Sequence, residues 1–509
     1  MTDEMSVEDE RAEFERLKAR LVALWPLVFP GDDQPYTSVV VPSLTLEPDE
    51  LAKVPGVNFL EERLLFLLTR LRNPFARLVY VTSQPVDPMV IEYYPQLLVG
   101  IPPSQVRARL TLLSVQDGSA RPLTEKLLER PRLLARIRAA VRDPACAYLT
   151  VFHTTPLERR LAVQLGLPLN ANDPDLAELG TRSAGRQILS EAGVAIPKGA
   201  GHVRSEPVLL EALRDLRGND PGLQRAVLKL DHGFPGRAHA VFHYPESLRP
   251  DDIRAALGTV SPAAEGIASS DFLARFLAMG GAVEEWIEGH QVSSPSVELR
   301  INPLGRVFLT STHERLRAEA SGRIHDGCAF PARSAYRTEL QEAGLRVGRV
   351  LAQRGVTGRL SIPFIATRSD TETAWRHRAL GIDLHMGRTT HPMLVLRFVT
   401  SGAYEPSDGL FHGPDGRAKF YVATDSLSSP AYHGLLPADL VDILTLHRLQ
   451  YDHRSATGVL FHMLGAASEH GRLGVVAIGD SRAHARELYD QAVARLDHET
   501  APQHHEYSR

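Results

Sequence analysis

Residues 225–242 read RAVLKLDHGFPGRAHAVF, two apolar runs separated by a loop that contains two glycines. This pattern predicts two strands joined by a flexible tip. Lys229 lies in the first strand, shortly before the tip. Backbone N–H groups in such a loop can face the oxygens of a polyphosphate, and a nearby lysine would neutralise phosphate charge. We therefore interpret 225–242 as a phosphate-binding hairpin with Lys229, Gly233 and Gly236 as candidate residues.

Lysine is rare in this chain, which makes Lys229 more informative. Only six of the 57 basic residues are lysines, so arginine is the usual cation here. A lysine kept inside an apolar strand of such a chain indicates a site that needs a compact point charge.

Two further segments complete a candidate nucleotide site. AVEEWIEGHQV at 282–292 predicts a strand that runs into a short linker. An adenine needs one acceptor for its amino group and one backbone N–H for a ring nitrogen. Either Glu284 or the backbone of Glu285 can accept, and the N–H of Ile287 can donate. The third segment, GIDLHMGRTTHP at 381–392, predicts a strand that ends in polar residues.

The chain before the hairpin predicts a parallel α/β layer. Strand-like apolar runs at 77–88, 107–117 and 147–156 alternate with helical stretches. A helix is predicted within 6–28, whereas the Pro-rich segment 30–57 predicts irregular structure. After the hairpin, strands are predicted at 295–301, 306–312, 359–367 and 378–385, and the last part of the chain mixes strands with helices.

Eleven stretches together resemble one bacterial family of ATP-grasp proteins, related to the pheganomycin-type peptide ligase and to a ligase that forms a γ-glutamyl dipeptide with propargylglycine. They include NPFARLVYVTSQPVDP (73–88), RARLTLLSVQD (107–117), SPSVELRINPLG (294–305), STHERL (311–316), RTTHP (388–392) and GRLGVVAIGDS (471–481). The resemblance covers roughly residues 60–495.

The resemblance implies a mixed α/β and α+β fold. A parallel-sheet pre-ATP-grasp domain would precede a two-lobed ATP-grasp core and a family-specific C-terminal portion. The expected boundaries are 1–58 for an N-terminal helix and irregular segment, 59–180 for the pre-ATP-grasp domain, 181–400 for the core (lobes 181–283 and 284–400) and 401–500 for the C-terminal portion.

The resemblance also implies an activity, cofactors and partners. ATP and Mg²⁺ would bind between the lobes, and the γ-phosphoryl group would move to the carboxylate of an amino acid or peptide. An amine would then attack the acyl phosphate to form an amide. The partners are small-molecule substrates, glutamate being one candidate acid, without nucleic acid or membrane, and a homodimer is allowed.

Matching position by position assigns residues to these roles. The expected ATP-binding residues are Arg186, Lys229, Gly233, Gly236, Glu284, Glu285, Ile287 and Gln291. Lys229 and Arg300 are the expected catalytic residues, and Asp383 is the expected metal ligand. The substrate residues would be Arg300, Arg388, Thr389, Thr390 and His391, the last three forming a polar turn.

This sequence departs from the family pattern at the positions where metal ligands are expected. Pro363 and Gly381 stand where acidic residues are usual, which leaves Asp383 alone, since Mg²⁺ prefers carboxylate and phosphate oxygens. An active ligase and a catalytically degenerate pseudo-ligase that binds a nucleotide or a partner protein therefore both stay open. Arg237, in the hairpin tip, would replace part of a metal's charge. Asp231 and Glu298 are further candidate ligands, although surface or loop roles are favoured for both.

Composition is consistent with this reading. The net charge of −4, with both signs interspersed, provides no nucleic-acid footprint, and no apolar run approaches the ~18–20 residues that span a bilayer. Cys146 and Cys328 cannot form a disulfide framework. The N-terminal 18 residues are acidic and amphipathic, which argues against a secretory signal. We expect a cytoplasmic protein.

Overall fold

The N-terminal part of the computed structural model is a parallel sheet covered by helices. Residues 5–29, 33–46, 48–233, 238–264, 266–316, 327–370 and 374–501 are described. This part contains α1 (Val7–Val28), β1 (Thr37–Val41), α2 (Pro48–Ala52), a 3-10 helix (Val57–Arg72), β2 (Arg77–Thr82), α3 (Pro88–Gln96), α4 (Pro103–Arg107), β3 (Leu110–Ser114), α5 (Leu123–Leu128), α6 (Pro131–Ala140), a short 3-10 turn (Pro144–Cys146), β4 (Ala147–Val151), α7 (Pro156–Leu165) and a 3-10 helix (Pro174–Gly180).

The strand order of this sheet is β3-β2-β1-β4, with all pairs parallel. The predicted parallel layer is confirmed, but the prediction of irregular structure across 30–57 is wrong. That segment contains β1, which lies between β2 and β4. Val39, Val40 and Val41 are inaccessible to solvent, because both faces of a parallel sheet are covered. The short run TSVVV between prolines gave too weak a local signal to reveal a strand that its neighbours stabilise.

The second layer is a five-stranded antiparallel sheet with helices packed against it. It comprises α8 (Arg182–Glu191), β5 (Gly199–Val203), α9 (Glu206–Asn219), β6 (Arg225–Leu230), β7 (His239–His243), α10 (Pro250–Leu257), β8 (Ser261–Pro262), α11 (Ser269–Met279) and β9 (Gly281–Glu285). The order is β5-β9-β6-β7-β8. The predicted hairpin is confirmed as β6 and β7, and β9 pairs with the outer side of β6. Glu284 therefore lies beside the strand that carries Lys229.

The remaining strands form one sheet of eleven. The elements are β10 (Gln291–Ser293), β11 (Pro295–Ile301), β12 (Val307–Leu316), β13 (Gly327–Phe330), α12 (Arg337–Gln353), β14 (Gly358–Arg368), β15 (Arg376–Ala379), α13 (Thr390–Thr400), β16 (Ala403–Glu405), β17 (Leu410–His412), β18 (Ala418–Ser428), a 3-10 turn (Pro430–Tyr432), α14 (Pro437–Leu446), β19 (Gly458–His462), α15 (Gly465–His470), β20 (Arg472–Gly479) and α16 (Arg482–Glu499). Because β13 pairs with β18, the strands after residue 401 extend the sheet that holds β11 and β14.

Two predictions near residue 385 are wrong. The strand expected at 378–385 ends at Ala379, and the chain continues as a loop. This loop contacts β14 through the hydrogen bond from Leu380 N to the carbonyl of Pro363 and through an isolated bridge between Asp383 and Ser361. The polar turn expected at 389–391 is a helix start instead: Thr389 is the N-cap residue of α13, and Thr390 opens its first turn. Apolar residues within 393–399 bury this helix. The prediction of a turn was wrong because it rested on the polar residues at the start of the helix.

No helix in the described ranges is both long enough and apolar enough to cross a membrane.

A buried ion pair joins the N-terminal part to the large sheet. Arg63, in the 3-10 helix, donates to Asp425 Oδ2 of β18 at 2.9 Å, and both side chains are nearly inaccessible. The Arg63 guanidinium also lies 4.4 Å from the ring centroid of Phe152. Because water is largely excluded from both groups, each charge is stabilised mainly by its partner.

Replacing Asp425 by alanine should therefore lower the free energy of unfolding by about 3–5 kcal/mol, since it leaves a buried guanidinium unpaired. Glu92→Ala, which breaks the exposed pair with Arg107, should change it by no more than ~1 kcal/mol. Urea denaturation followed by circular dichroism measures both variants. Equal changes in the free energy of unfolding of the two variants would contradict the proposed role of the buried Arg63–Asp425 ion pair.

Candidate active site

The centre of the candidate site is a carboxylate shared by two cations. Glu284 Oε2 accepts a hydrogen bond from Lys229 Nζ at 2.5 Å, and Glu284 Oε1 accepts one from Arg186 Nη1 at 2.6 Å. Lys229 lies on β6, Glu284 on β9 and Arg186 on α8. The Glu284 side chain is 2% exposed. Three elements of the second layer thus meet at Glu284, whose carboxylate is bonded to both cations. The adenine contact expected for Glu284 stays a prediction.

The surroundings of Lys229 are strongly electropositive. Burial lowers the pKa of Lys229; Glu284 opposes this effect, and the charges of Arg182 and Arg186 add to it. His239, directly opposite Lys229 in the hairpin, has a pKa lowered by burial and then by the charges of Lys229, Arg182 and Arg315. Four cations therefore converge on one end of the hairpin. This donor set fits an anion with several negative oxygens, such as a nucleotide polyphosphate.

Arg182 lies beside Gly381, the position at which the resemblance predicts an acidic side chain. A Cβ atom built on Gly381 would lie 2.3 Å from Arg182 Nη1, so the missing side chain leaves room for this guanidinium. Arg182 Nη2 is also 3.6 Å from Asp383 Oδ1. The same loop approaches the lysine, since Lys229 Nζ donates to the carbonyl of Leu380 at 3.4 Å. Arg182 was not identified from the sequence, because its position depends on the lack of a side chain at Gly381.

The residues present do not fit a metal centre made of protein ligands. Asp383 is the one carboxylate supplied by the loop, and Arg182 already offsets its charge. Pro363 lies in β14 without a ligand atom. Across the ranges that the structure describes, no group of three His, Cys, Asp or Glu side chains is arranged to hold a metal ion. The Asp383 ligand and Mg²⁺ remain predictions.

The expected adenine linker follows β9. Glu285 N donates to the carbonyl of Lys198, and the Glu285 carboxylate accepts from Lys198 N, both at 2.9 Å. In the described part of the chain, nothing accepts a hydrogen bond from the half-buried Ile287 N–H. Gln291 is exposed and bonded to Arg368 at 2.8 Å. Ile287 is therefore available as the expected donor, whereas Gln291 is engaged elsewhere.

The tip of the hairpin is described at its two ends only. Gly233 has φ +151°, and a Cβ atom there would lie 2.5 Å from the Cβ of Ala238. The chain thus closes on itself at Gly233, where a side chain would obstruct it. Gly236 and Arg237, expected in the phosphate loop, lie outside the described residues.

Arg300 and the threonines of α13 lie near a second carboxylate, Glu298. Thr390 Oγ1 donates to Glu298 Oε2 at 3.1 Å, and Thr389 Oγ1 donates to Glu298 Oε1. Glu298 and Arg300 are two residues apart on β11 and so face the same side. Burial raises the pKa of Glu298 to about 7, against the two threonine bonds and the charge of Arg359.

The other expected substrate residues lie apart from this group. His391 is buried, with its ring 4.1 Å from that of His462, and burial lowers its pKa. Arg388 is exposed, and its charge helps to lower the pKa of Asp425. Neither of these contacts involves Glu298. The RTTHP segment therefore meets two environments: Thr389 and Thr390 contact Glu298, whereas His391 lies beside His462.

Comparisons with known proteins agree with this geometry. Residues 268–406 match a family described as IQCH-like, ATP-grasp, and residues 439–492 match the PGM1 C-terminal domain. The chain is 29% identical to the L-propargylglycine–L-glutamate ligase of Streptantibioticus cattleyicolor over 91% of this chain and 94% of that protein. It is 25% identical to the IQ motif-containing protein H of Danio rerio over 72% of this chain and 39% of that protein.

A solved structure supports the same fold. The biotin carboxylase of Campylobacter jejuni, solved in a complex with β-γ-ATP, superposes with a TM-score of 0.55 at 11% identity, over 92% of this chain and 96% of that one. This chain has the ATP-grasp fold. The resemblance to ATP-grasp ligases inferred from sequence is therefore confirmed.

Within this ATP-grasp fold, the surface or loop role favoured for Glu298 is wrong, whereas Asp231 follows β6 in a loop as expected but does not lie at the surface. Asp231 is buried, and its Oδ1 accepts from the N–H of Ser183 at the start of α8 at 2.8 Å. Glu298 is buried beneath α13. The alternation in VELRI carried a signal for Glu298, because Val297, Leu299 and Ile301 face the apolar core and leave Glu298 with Arg300 on the opposite face.

The raised pKa of Glu298 predicts a pH-dependent stability. The folded protein keeps a proton up to about pH 7, whereas an unfolded glutamate loses it near 4.5. The contribution of Glu298 to the free energy of unfolding therefore falls as pH rises through that window, by on the order of 3 kcal/mol. The variant Glu298→Gln lacks this loss, so its stability relative to wild type should increase from pH 4 to pH 8. Urea denaturation at the two pH values measures this difference.

The exposed Glu246→Gln variant is the matched control and should show no pH-dependent difference. A difference between Glu298→Gln and wild type that stays constant with pH would contradict the proposed environment of Glu298.

Proposed function

We propose that this protein is an ATP-dependent carboxylate–amine ligase. It would join the carboxylate of an amino acid, with glutamate as the first candidate, or of a peptide to an amine, giving an amide, ADP and phosphate. The observation that carries the proposal is the Lys229–Glu284–Arg186 arrangement beside Arg182 of α8 and the loop that carries Asp383. The similarity to a ligase named for propargylglycine and glutamate supports this choice.

The residues of this chain divide the work. Glu284 holds the ammonium of Lys229 toward the cleft, where Lys229 and Arg182 would offset the charge of the phosphates. Gly233, at which the hairpin tip begins, would let the backbone approach them, and Ile287 N–H would bind the adenine. Arg300 would hold a carboxylate of the substrate. Mg²⁺ stays a prediction of the family resemblance, and neither step of the reaction is assigned to it.

The proposed reaction has two balanced steps. A substrate carboxylate oxygen bonds to the γ-phosphorus as the bond to the β,γ-bridging oxygen breaks, which leaves ADP. The amine nitrogen then bonds to the acyl carbon, loses a proton and expels phosphate. Both steps place negative charge near fixed cations, which is where pre-oriented charges stabilise a transition state most effectively.

A second candidate is supported by a specific observation. Pro363 and Gly381 remove two carboxylates from the cleft, and Arg182 fills part of the space that they leave. A pseudo-ligase would bind a nucleotide through the same cations without turnover. Thermal stabilisation by ATP without release of phosphate would favour this second function.

The variant Lys229→Ala should lower amino-acid-dependent ADP release by about 100-fold or more, the usual effect of removing one charge that stabilises a phosphoryl-transfer transition state. Lys53→Ala, which removes an exposed lysine paired only with Glu50, should leave the rate unchanged. A coupled assay of ADP release with pooled amino acids measures both variants. If wild type releases ADP and Lys229→Ala does so equally fast, the phosphate-binding role of Lys229 is wrong.

A further inference from the structure

A cavity of 460 Å³ lies between the parallel N-terminal sheet and the large sheet. Its size falls within the usual range of small-molecule sites. The lining includes Tyr36 just before β1, much of β4, one side of the 3-10 helix 57–72, parts of β11 and β14, and α13. The arginines that line it are Arg70, Arg72, Arg300, Arg359 and Arg397.

Arg300 and Arg359 are directly opposite each other on β11 and β14. Like charges in this position destabilise a sheet. Within the described ranges, no carboxylate forms an ion pair with either guanidinium or with those of Arg70 and Arg397. Arg300 instead lies over the ring of Trp25, at 4.6 Å from its centroid.

The neighbouring arginine charges lower the pKa values of Arg300 and Arg359. Burial lowers the pKa of Arg300 to about 9, and the charges of Arg359, Arg70 and Arg397 contribute. Burial lowers the pKa of Arg359 to about 10; the nearby Glu298 opposes this effect, and Arg397 and Arg70 add to it. Among the described residues, Glu298 is the acid that offsets the charge of Arg359, and it is bonded to Thr389 and Thr390. The cavity therefore has an excess of positive charge that an anionic ligand would neutralise.

Two buried polar atoms on the cavity wall support a ligand independently. The hydroxyl of Tyr148 and the Oδ1 atom of Asn172 have no hydrogen-bond partner among the described residues. Tyr148 is fully buried and Asn172 is 6% exposed. A buried polar atom without a partner costs free energy, and a ligand in this cavity would supply the missing partners.

The cavity and the nucleotide cleft are linked through one face of the large sheet. Asp383 pairs with Ser361, Ser361 pairs with Glu298, and Arg300 follows Glu298 two residues later. Strand spacing puts the Cα atoms of Asp383 and Glu298 about 10 Å apart and those of Glu298 and Arg300 about 7 Å apart. A small molecule that spans this distance would have one end among the arginines and the other beside the phosphates.

We propose that this cavity binds a dicarboxylic amino acid, with the arginines holding the carboxylate that does not react. Arg300 and Arg359 would bind that carboxylate together, because two guanidinium forks match its oxygens. Asn172 Oδ1 would accept a hydrogen bond from the substrate amino group, and Tyr148 would donate one to a carboxylate. The second carboxylate would extend toward Asp383 and the phosphate cleft. This inference rests on the proposed ligase function and names its acid substrate class.

The first test compares L-glutamate with L-glutamine, which has nearly the same shape and one carboxylate fewer. Isothermal titration calorimetry without nucleotide should show L-glutamate binding at least about 10-fold more tightly, the effect of one charged hydrogen-bonding group. L-aspartate is the shorter dicarboxylic probe. Equal binding of glutamate and glutamine, or no binding of either dicarboxylic probe, would overturn the proposal.

Variants locate the site. Arg359→Met should raise the KM for L-glutamate by about 10–100-fold and leave the KM for ATP within about twofold. Arg359→Lys should recover only part of this, since a lysine lacks the planar fork. Arg349→Met, at an exposed position of α12, is the control without effect. Tyr148→Phe keeps the ring and should raise the glutamate KM several-fold without lowering the melting temperature, which covers the case that Arg359→Met fails to fold.

The outcomes separate this proposal from the ligase proposal. Arg359-dependent glutamate binding without ADP release would support the cavity assignment and reject the ligase function. ADP release whose glutamate KM is unchanged in Arg359→Met and Tyr148→Phe would support the ligase and overturn the cavity assignment.

Discussion

The carboxylate of Glu284 holds the two cations on which the rest of the site depends. Lys229 on β6 and Arg186 on α8 both donate to it, so one buried side chain sets the position of a strand, a helix and the lysine ammonium. Buried ion pairs contribute little net stability, but removing one partner is costly. This arrangement is thus better explained by its positioning of Lys229, which also reaches Leu380 in the loop beside the large sheet.

The balance of charge around this point differs from that of a cleft built for metal ions. Gly381 leaves space that the guanidinium of Arg182 occupies, and Asp383 is the acid that remains beside it. In the proposed ligase, fixed cations from the protein would therefore take a larger share in offsetting phosphate charge. The same excess of arginine over acid continues along the sheet to Arg300 and Arg359, which lie opposite each other. Both ends of the site are suited to anions, phosphate at one end and carboxylate at the other.

The sequence predicted those parts of the fold in which a local pattern is decisive. The hairpin of β6 and β7 was found because apolar runs flank a glycine loop, and β11 matches its predicted bounds of 295–301 because its residues alternate. Strand β1 was missed because five residues between prolines give little signal, and its partners β2 and β4 lie far away in sequence. The start of α13 was read as a turn because its polar residues come first.

The site was predicted less completely, for a related reason. Lys229 and Ile287 could be named as candidates from neighbouring residues, whereas Arg182 could be named only from its position beside Gly381 in the folded chain. The cavity is assembled from segments as distant as Arg70 and Arg397, which no spacing rule connects. Tertiary contacts of this kind depend on how the layers pack, and a single sequence does not specify them.

The most direct test of the central claim follows the oxygen atoms of the substrate. The enzyme would be incubated with ATP, an amine and L-glutamate whose carboxylates carry ¹⁸O, and the released phosphate analysed by mass spectrometry. A ligase that acts through an acyl phosphate transfers one substrate oxygen to phosphate, so we predict singly labelled phosphate in step with amide formation. Unlabelled phosphate released at the same rate as ADP would show that water is the acceptor and would contradict the proposed function.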